Sequence, residues 1–160
     1  NTYKKQNADV EIILALNKES DLFGELKQLS KKISVIYDST QKVLASCNIA
    51  IVASGTATLE AAILAKPMVV IYKSNKFSNF ILSNFFLKTK FISLPNILSQ
   101  EKIVFELRQN QVSGKEISEK VELTLKNQEV ISDKLSLIRD SLLVTDSNKF
   151  SIALSEILAK

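Results

Sequence analysis

Histidine and tryptophan are absent from this chain of 160 residues, cysteine and methionine occur once each, and there are only three glycines and two prolines. Without histidine there can be no Ser-His or Cys-His dyad and no histidine metal ligand within these residues. The lone Cys47 lies in an apolar run, so neither an internal disulfide nor a cysteine metal site can form, and the expected setting is cytosolic. Arginine is nearly missing: only Arg108 and Arg139 stand among 21 basic residues, for a net charge of +4. Base readout leans on bidentate arginine forks, so nucleic acid is not an expected partner. No secretory signal opens the chain. The longest uncharged run, Val43 to Leu59, contains Ser46, Asn48, Ser54, Gly55, Thr56 and Thr58. It is too short and too polar for a bilayer, which needs roughly 20 mainly apolar residues. Met68 is the only methionine and Asn1 comes first, so the expectation is a piece of a longer protein.

What remains is ordinary globular material, 46% hydrophobic and 24% charged, enough for one core. Short β-branched runs alternate with helical stretches through the first half. Strands are expected at Val10–Leu16, Ile33–Tyr37, Asn48–Ala53 and Met68–Tyr72. Helices are expected at Glu19–Lys32, Gln41–Ser46 (capped by Asp38 or Ser39) and Thr56–Ala65, the last stopped by Lys66-Pro67. This alternation argues for a parallel sheet with helices on both faces. Further on, Lys76–Leu87 reads as a helix, Phe91–Leu94 as a short strand, and Pro95-Asn96 as a turn. Lys102–Gln109, Ser113–Asn127, Val130–Leu143 and Asn148–Leu158 all read as helices. Ser113-Gly114-Lys115-Glu116 matches a capping box. The expectation is one α/β domain over 1–160, Rossmann-like, with 113–160 as a helical C-terminal tail.

The chemistry concentrates in Ser54-Gly55-Thr56-Ala57-Thr58-Leu59-Glu60, at the exit of the third strand. Ligands of open parallel sheets sit outside the carboxyl ends of the strands. Gly55 lets a backbone approach closely, two hydroxyls flank it, and the start of the next helix suits a phosphate. Glu60, one turn into the helix, could accept hydrogen bonds from two vicinal ribose hydroxyls. The same residues also fit a plain helix start, with Ser54 or Thr56 as cap and Glu60 completing the first turn.

The run from Ile49 to Gln109 resembles the C-terminal, nucleotide-sugar-binding half of lipid-A-disaccharide synthase, a glycosyltransferase family of the two-Rossmann-domain (GT-B) fold. Three blocks carry the resemblance. The first is S-G-T-A-T-L-E-A-A with Lys66-Pro67-Met68-Val69-Val70 and Tyr72-Lys73. The second is Ile92-Ser93-Leu94-Pro95-Asn96-Ile97-Leu98, and the third Glu106-Leu107 with Gln109. The resemblance implies transfer of diacylglucosamine from UDP-diacylglucosamine to an acylated glucosamine 1-phosphate, giving the β-1,6-linked lipid A disaccharide and UDP. It implies that Ser54, Gly55, Thr56 and Thr58 surround the diphosphate and that Glu60 holds the ribose. Tyr72, Asn96, Glu106 and Gln109 would line the donor cleft, and Asp38 would lie near the uracil. The catalytic base would belong to a missing N-terminal domain. A homodimer and a place on the inner face of a bacterial inner membrane, in lipopolysaccharide synthesis, are further implications. No cofactor or metal is expected, and the chain holds no Asp-x-Asp pair. Phe105 departs from the family, which tends to have proline there, and the tail Asp140–Ala159 lacks the small-residue pattern expected.

One segment stands apart. Phe77, Phe80, Phe85 and Phe86 are interleaved with Lys73, Lys76, Lys88 and Lys90. Aromatics beside lysines suit an interfacial helix on an anionic membrane, so Phe77–Lys90 is the candidate membrane contact. Phenylalanines packed into the core with lysines as a solvated rim fit the same pattern. Other UDP-sugar enzymes of the fold, an N-acetylglucosaminyltransferase or an epimerase, and a non-catalytic nucleotide-sugar module are the competing functions.

Overall fold

The structure is a computed structural model that describes residues 10–16, 33–37, 40–73 and 90–144. It divides into two compact units between Cys47 and Asn48. In the first unit, β1 (Ile13–Leu16) and β2 (Ser34–Tyr37) run parallel, with Ile13 beside Ser34 and Leu16 beside Tyr37. Helix α1 (Thr40–Ser46) packs on β1 and buries Leu44. Both strands and the helix lie where the hydrophobic pattern put them. Glu19–Lys32 and the caps Asp38 and Ser39 lie outside the described residues.

The second unit contains β3 (Ala50–Ala53), α2 (Thr56–Ile63), β4 (Met68–Tyr72), α3 (Leu94–Ser99) and β5 (Phe105–Arg108). A single 3-10 turn at Gln109–Gln111 leads into α4 (Gly114–Lys126) and α5 (Gln128–Val144). The sheet order is β3-β4-β5, all parallel. Successive side chains of a strand point to opposite faces. Met68, Val69 and Val70 of β4 have no exposed surface at all, so this central strand is covered on both faces. Helix α4 packs on β4 and β5, α2 on β3, and α5 on α2 and α3. Ala61 and Ala62 of α2 are fully buried, and their small side chains let neighbouring elements come close. The class is α/β, with parallel strands flanked by helices.

Helix α2 ends on a left-handed residue that is not glycine. Ala65 sits at φ 48°, and around it Ala65 N–H donates to Ala62 O (2.9 Å) and Lys66 N–H to Ala61 O (2.8 Å). These bonds satisfy carbonyls that a helix end leaves open. Pro67 then makes the stop permanent.

Three expectations fail. Pro95-Asn96 does not turn the chain, because both residues lie within α3. Phe91–Leu94 is not a strand: Ser93 has extended dihedrals but serves as the N-cap of α3, and Pro95 occupies the first turn of that helix. Proline is tolerated there because its missing N–H has no intrahelical partner. Lys102–Gln109 is not a helix, because Phe105–Arg108 instead adds β5 to the sheet, with Val70 beside Glu106 and Tyr72 beside Arg108. The two long helices α4 and α5 are where expected. The Ser113 hydroxyl caps α4 by accepting from Glu116 N–H (3.2 Å), while Ser113 N–H goes to Gln111 O. Asn148–Leu158 and Lys76–Leu87 lie outside the described residues. No helix among the described residues is long and apolar enough to cross a membrane.

Candidate functional site

Because β3, β4 and β5 are parallel, their carboxyl ends at Ala53, Tyr72 and Arg108 share one edge of the sheet. Ser54-Gly55 leaves that edge and turns into α2. Ser54 N–H donates to Ile71 O (2.9 Å), which keeps the junction tied to β4. Gly55 has φ 141° and ψ −157°, a conformation essentially closed to residues with a side chain. A Cβ there would meet nothing within 4 Å, so the demand for glycine comes from the backbone alone. No side chain caps α2. The N–H groups of Thr56 and Ala57, in its first turn, have no carbonyl to reach within the helix, and the partial positive charge of the helix start lies there. Gly55 and Thr56 are exposed. The half-buried Glu60 carboxylate carries no hydrogen bond or ion pair among the described residues.

Next to this opening is a dense polar network. The Glu106 side chain, 6% exposed, accepts from Ile92 N–H (3.1 Å to each oxygen), Ser93 N–H (2.9 Å) and the Ser93 hydroxyl (2.7 Å). It also accepts from Asn96 Nδ2 (2.9 Å) and from Arg108 Nη2 (3.0 Å). Burial pushes the Glu106 carboxyl up, but bonds from Ser93, Arg108 and Ile92 outweigh it and hold the group below the ordinary glutamate value. It is therefore a carboxylate that is fully committed to the protein. The Arg108 guanidinium also reaches Lys90 O (2.7 Å).

The residues singled out from sequence thus separate into two groups. Gly55 and Thr56 are exposed at the open helix start, and Glu60 has no hydrogen bond or ion pair among the described residues. Ser54 and Thr58 face inward: Ser54 Oγ donates to Ile92 O (3.2 Å), and the fully buried Thr58 donates to Gly55 O (2.7 Å) and accepts from Leu94 N–H (3.3 Å). Asn96 is also fully buried, and both of its donors and both acceptor sites are used, on Val104 O, Glu106 Oε1, Ile103 N–H and Val104 N–H. Tyr72 is half-buried at the end of β4. Gln109 follows β5 at φ 48° and opens the 3-10 turn. Asp38 lies outside the described residues. Sequence reasoning did not single out Ser93 or Arg108. A serine one residue before Leu94-Pro95 and one of only two arginines were the available signals. Among the described residues no three of His, Cys, Asp and Glu gather as metal ligands would.

Comparison with known proteins adds independent information. A family model described as lipid-A-disaccharide synthetase matches residues 1–157. A lipid-A-disaccharide synthase of Colwellia psychrerythraea is 34% identical over 128 residues, covering 79% of this chain and 32% of that one. One from Pasteurella multocida is 32% identical over 131 residues, covering 79% and 33%. One from Cellvibrio japonicus is 43% identical over 86 residues, covering 54% and 22%. The chain spans about a third or less of the length of these relatives.

Proposed function

The chain belongs to the lipid-A-disaccharide synthetase family, and from that premise we propose that it is the donor-binding part of a glycosyltransferase and that its ligand is UDP carrying an acylated glucosamine. The observation that carries this reading is the open start of α2 at the carboxyl edge of the sheet. There, the N–H groups of Thr56 and Ala57 and, one turn on, the Glu60 carboxylate are all unengaged among the described residues. The first suits a diphosphate and the second a pair of ribose hydroxyls. The whole enzyme would move diacylglucosamine from UDP to an acylated glucosamine 1-phosphate, with the base supplied from outside these residues. Tyr72 and Gln109, at the ends of β4 and β5, are proposed to line the same cleft, with Asn96 and Glu106 as its buried wall. The dimer is also proposed on the family's account alone.

Calorimetry with UDP tests the site. Glu60→Ala is expected to weaken binding by roughly 1.5–3 kcal/mol, the range for hydrogen bonds to charged groups. Binding of 2′,3′-dideoxy-UDP is expected to be indifferent to the same change. Equal losses for both ligands, or no UDP binding by the unaltered chain, overturn the reading.

Acylated substrates bring the cleft to a bilayer, and Phe77–Lys90 is proposed as the contact, although 77–89 lies outside the described residues. Each lysine near an anionic leaflet contributes about 1 kcal/mol. Co-sedimentation with anionic vesicles at low salt, lost in Phe85→Ser/Phe86→Ser with UDP affinity kept, is the expected result.

A further inference from the structure

The short segment Ile92–Leu94 is gripped from two sides. From β5, Glu106 accepts Ile92 N–H, Ser93 N–H and the Ser93 hydroxyl, while Arg108 bonds Glu106 Oε2 and Lys90 O from a single nitrogen. From the junction of β3 and α2, Ser54 Oγ donates to Ile92 O and Thr58 Oγ1 accepts from Leu94 N–H. The Thr58 hydroxyl then donates to Gly55 O at 2.7 Å. Hydrogen bonds on either side of the Ile92–Leu94 backbone therefore connect Arg108 to the carbonyl of the glycine whose backbone is in a glycine-only conformation.

That connection adds side-chain bonds to the two backbone bonds that hold the loop, Ser54 N–H to Ile71 O (2.9 Å) and Thr58 N–H to Gly55 O (3.1 Å). Gly55 and Thr56 are exposed and bury no apolar side chain, so packing contributes little to their conformation. Beyond those backbone bonds, the loop geometry rests on the Ser54 and Thr58 hydroxyls, which bond to Ile92 O and Leu94 N–H. Whatever fixes Ile92–Leu94 therefore helps to fix the direction in which the N–H groups of the helix start point.

We propose that Ser93 and Arg108 are positioning residues of the nucleotide site, acting through Glu106 and Ile92–Leu94 to set the conformation of the Ser54–Thr58 loop. The proposal rests on the reading of that loop as the UDP site, and it goes further by assigning a role to two residues that touch no ligand.

The test compares Ser93→Ala and Arg108→Leu, each alone and each combined with Ser54→Ala/Thr58→Val, in UDP affinity and in amide exchange. Each single change is expected to raise the UDP dissociation constant three- to tenfold. In the Ser54→Ala/Thr58→Val background the same change is expected to do much less, because both hydroxyl links to Ile92–Leu94 are already cut. A merely structural role predicts independent effects that multiply, and multiplying effects overturn the proposal. Exchange at Thr58 N–H is expected to quicken several-fold in Arg108→Leu, with Val121 and Leu135 unchanged. An unchanged Thr58 amide also overturns it. If Arg108→Leu does not fold, Arg108→Lys, which keeps the charge but not the planar fork, takes its place. Exchange needs no ligand, so failure of UDP to bind the unaltered chain removes the nucleotide reading and leaves the positioning claim to be decided by the Thr58 amide.

Discussion

Asn96 Nδ2 donates to Glu106 Oε1 at 2.9 Å, and this bond joins the first turn of α3 to the middle of β5. The amide's other hydrogen goes to Val104 O (2.9 Å), and its oxygen accepts from Ile103 N–H (2.8 Å) and Val104 N–H (2.9 Å). One side chain thereby satisfies three backbone groups in the stretch that leads into β5, where the sheet ladder has not yet begun. Val104 is almost fully buried, so water cannot easily replace those bonds.

Asn96→Ala strands the buried Val104 N–H and C=O, leaves Ile103 N–H with only Glu101 O (3.1 Å), and removes a donor from a buried carboxylate. Each unsatisfied buried group costs about 1–3 kcal/mol, so a loss of about 3–5 kcal/mol is expected in urea denaturation. Asn96→Asp is expected to be at least as damaging at neutral pH, because it sets a second carboxylate against Glu106. A loss below 1 kcal/mol for Asn96→Ala would mean that the turn before β5 is held by packing alone.

Glu106 makes stability depend on pH, with a sign set by its lowered pKa. The folded protein binds this proton less readily than the unfolded chain does. Its contribution is therefore complete above the ordinary glutamate value of 4.5 and is lost as pH falls through the lower folded value. Glu119 is also lowered, by its hydrogen bond to Lys120, but it lies at the surface. Comparison with Glu106→Gln isolates the buried group. The variant is expected to be less stable by about 2–3 kcal/mol at pH 7, and the gap is expected to close as the pH is taken below 4. A gap that stays constant from pH 7 to pH 3 would show that the charge is not what matters.

The strands β1 to β4 could be read directly because each lies in a compact, mainly apolar run containing β-branched residues and ended by polar or turn residues. Strand β5 could not. Ile103, Val104 and Leu107 repeat at helical spacing, and Glu106 and Arg108 are better helix formers than strand formers. The deciding facts are long-range: Val70 stands beside Glu106 in the ladder, and Ser93 and Ile92 wait for its carboxylate. The open part of the site, Gly55 to Glu60, was legible because it is local, a glycine between a strand and a helix. The inward roles of Ser54 and Thr58 depend on partners 36 to 38 positions away, and no local pattern announces them.

Surface ion pairs are expected to matter little. Lys134 and Glu101 approach to 3.0 Å, but their side chains are 47% and 63% exposed. Exposed pairs are worth about 0–1 kcal/mol and are screened by salt. Lys134→Met is therefore expected to shift the urea midpoint by less than 0.5 kcal/mol equivalent. A loss above 1.5 kcal/mol would give this pair a part in docking α5 that its exposure argues against.

Gly55 offers the cleanest separation of backbone from contact. At φ 141° and ψ −157° any L-residue with a Cβ is strained, by about 1–3 kcal/mol. Yet the space around the position is empty, so no steric repacking accompanies the change. Gly55→Ala is thus expected to act through dihedral strain alone: either the fold bears about 1–3 kcal/mol, or the loop rotates to relieve it. In both cases the bond from Thr58 to Gly55 O is strained or redirected, and the N–H groups of Thr56 and Ala57 change direction. Weaker UDP binding with α4 and α5 intact by amide exchange is the expected outcome. Replacement of Gly55 by D-alanine, whose mirror-image preference accepts positive φ, is expected to restore both stability and binding. If D-alanine and L-alanine behave alike, strain at this glycine is not what shapes the loop.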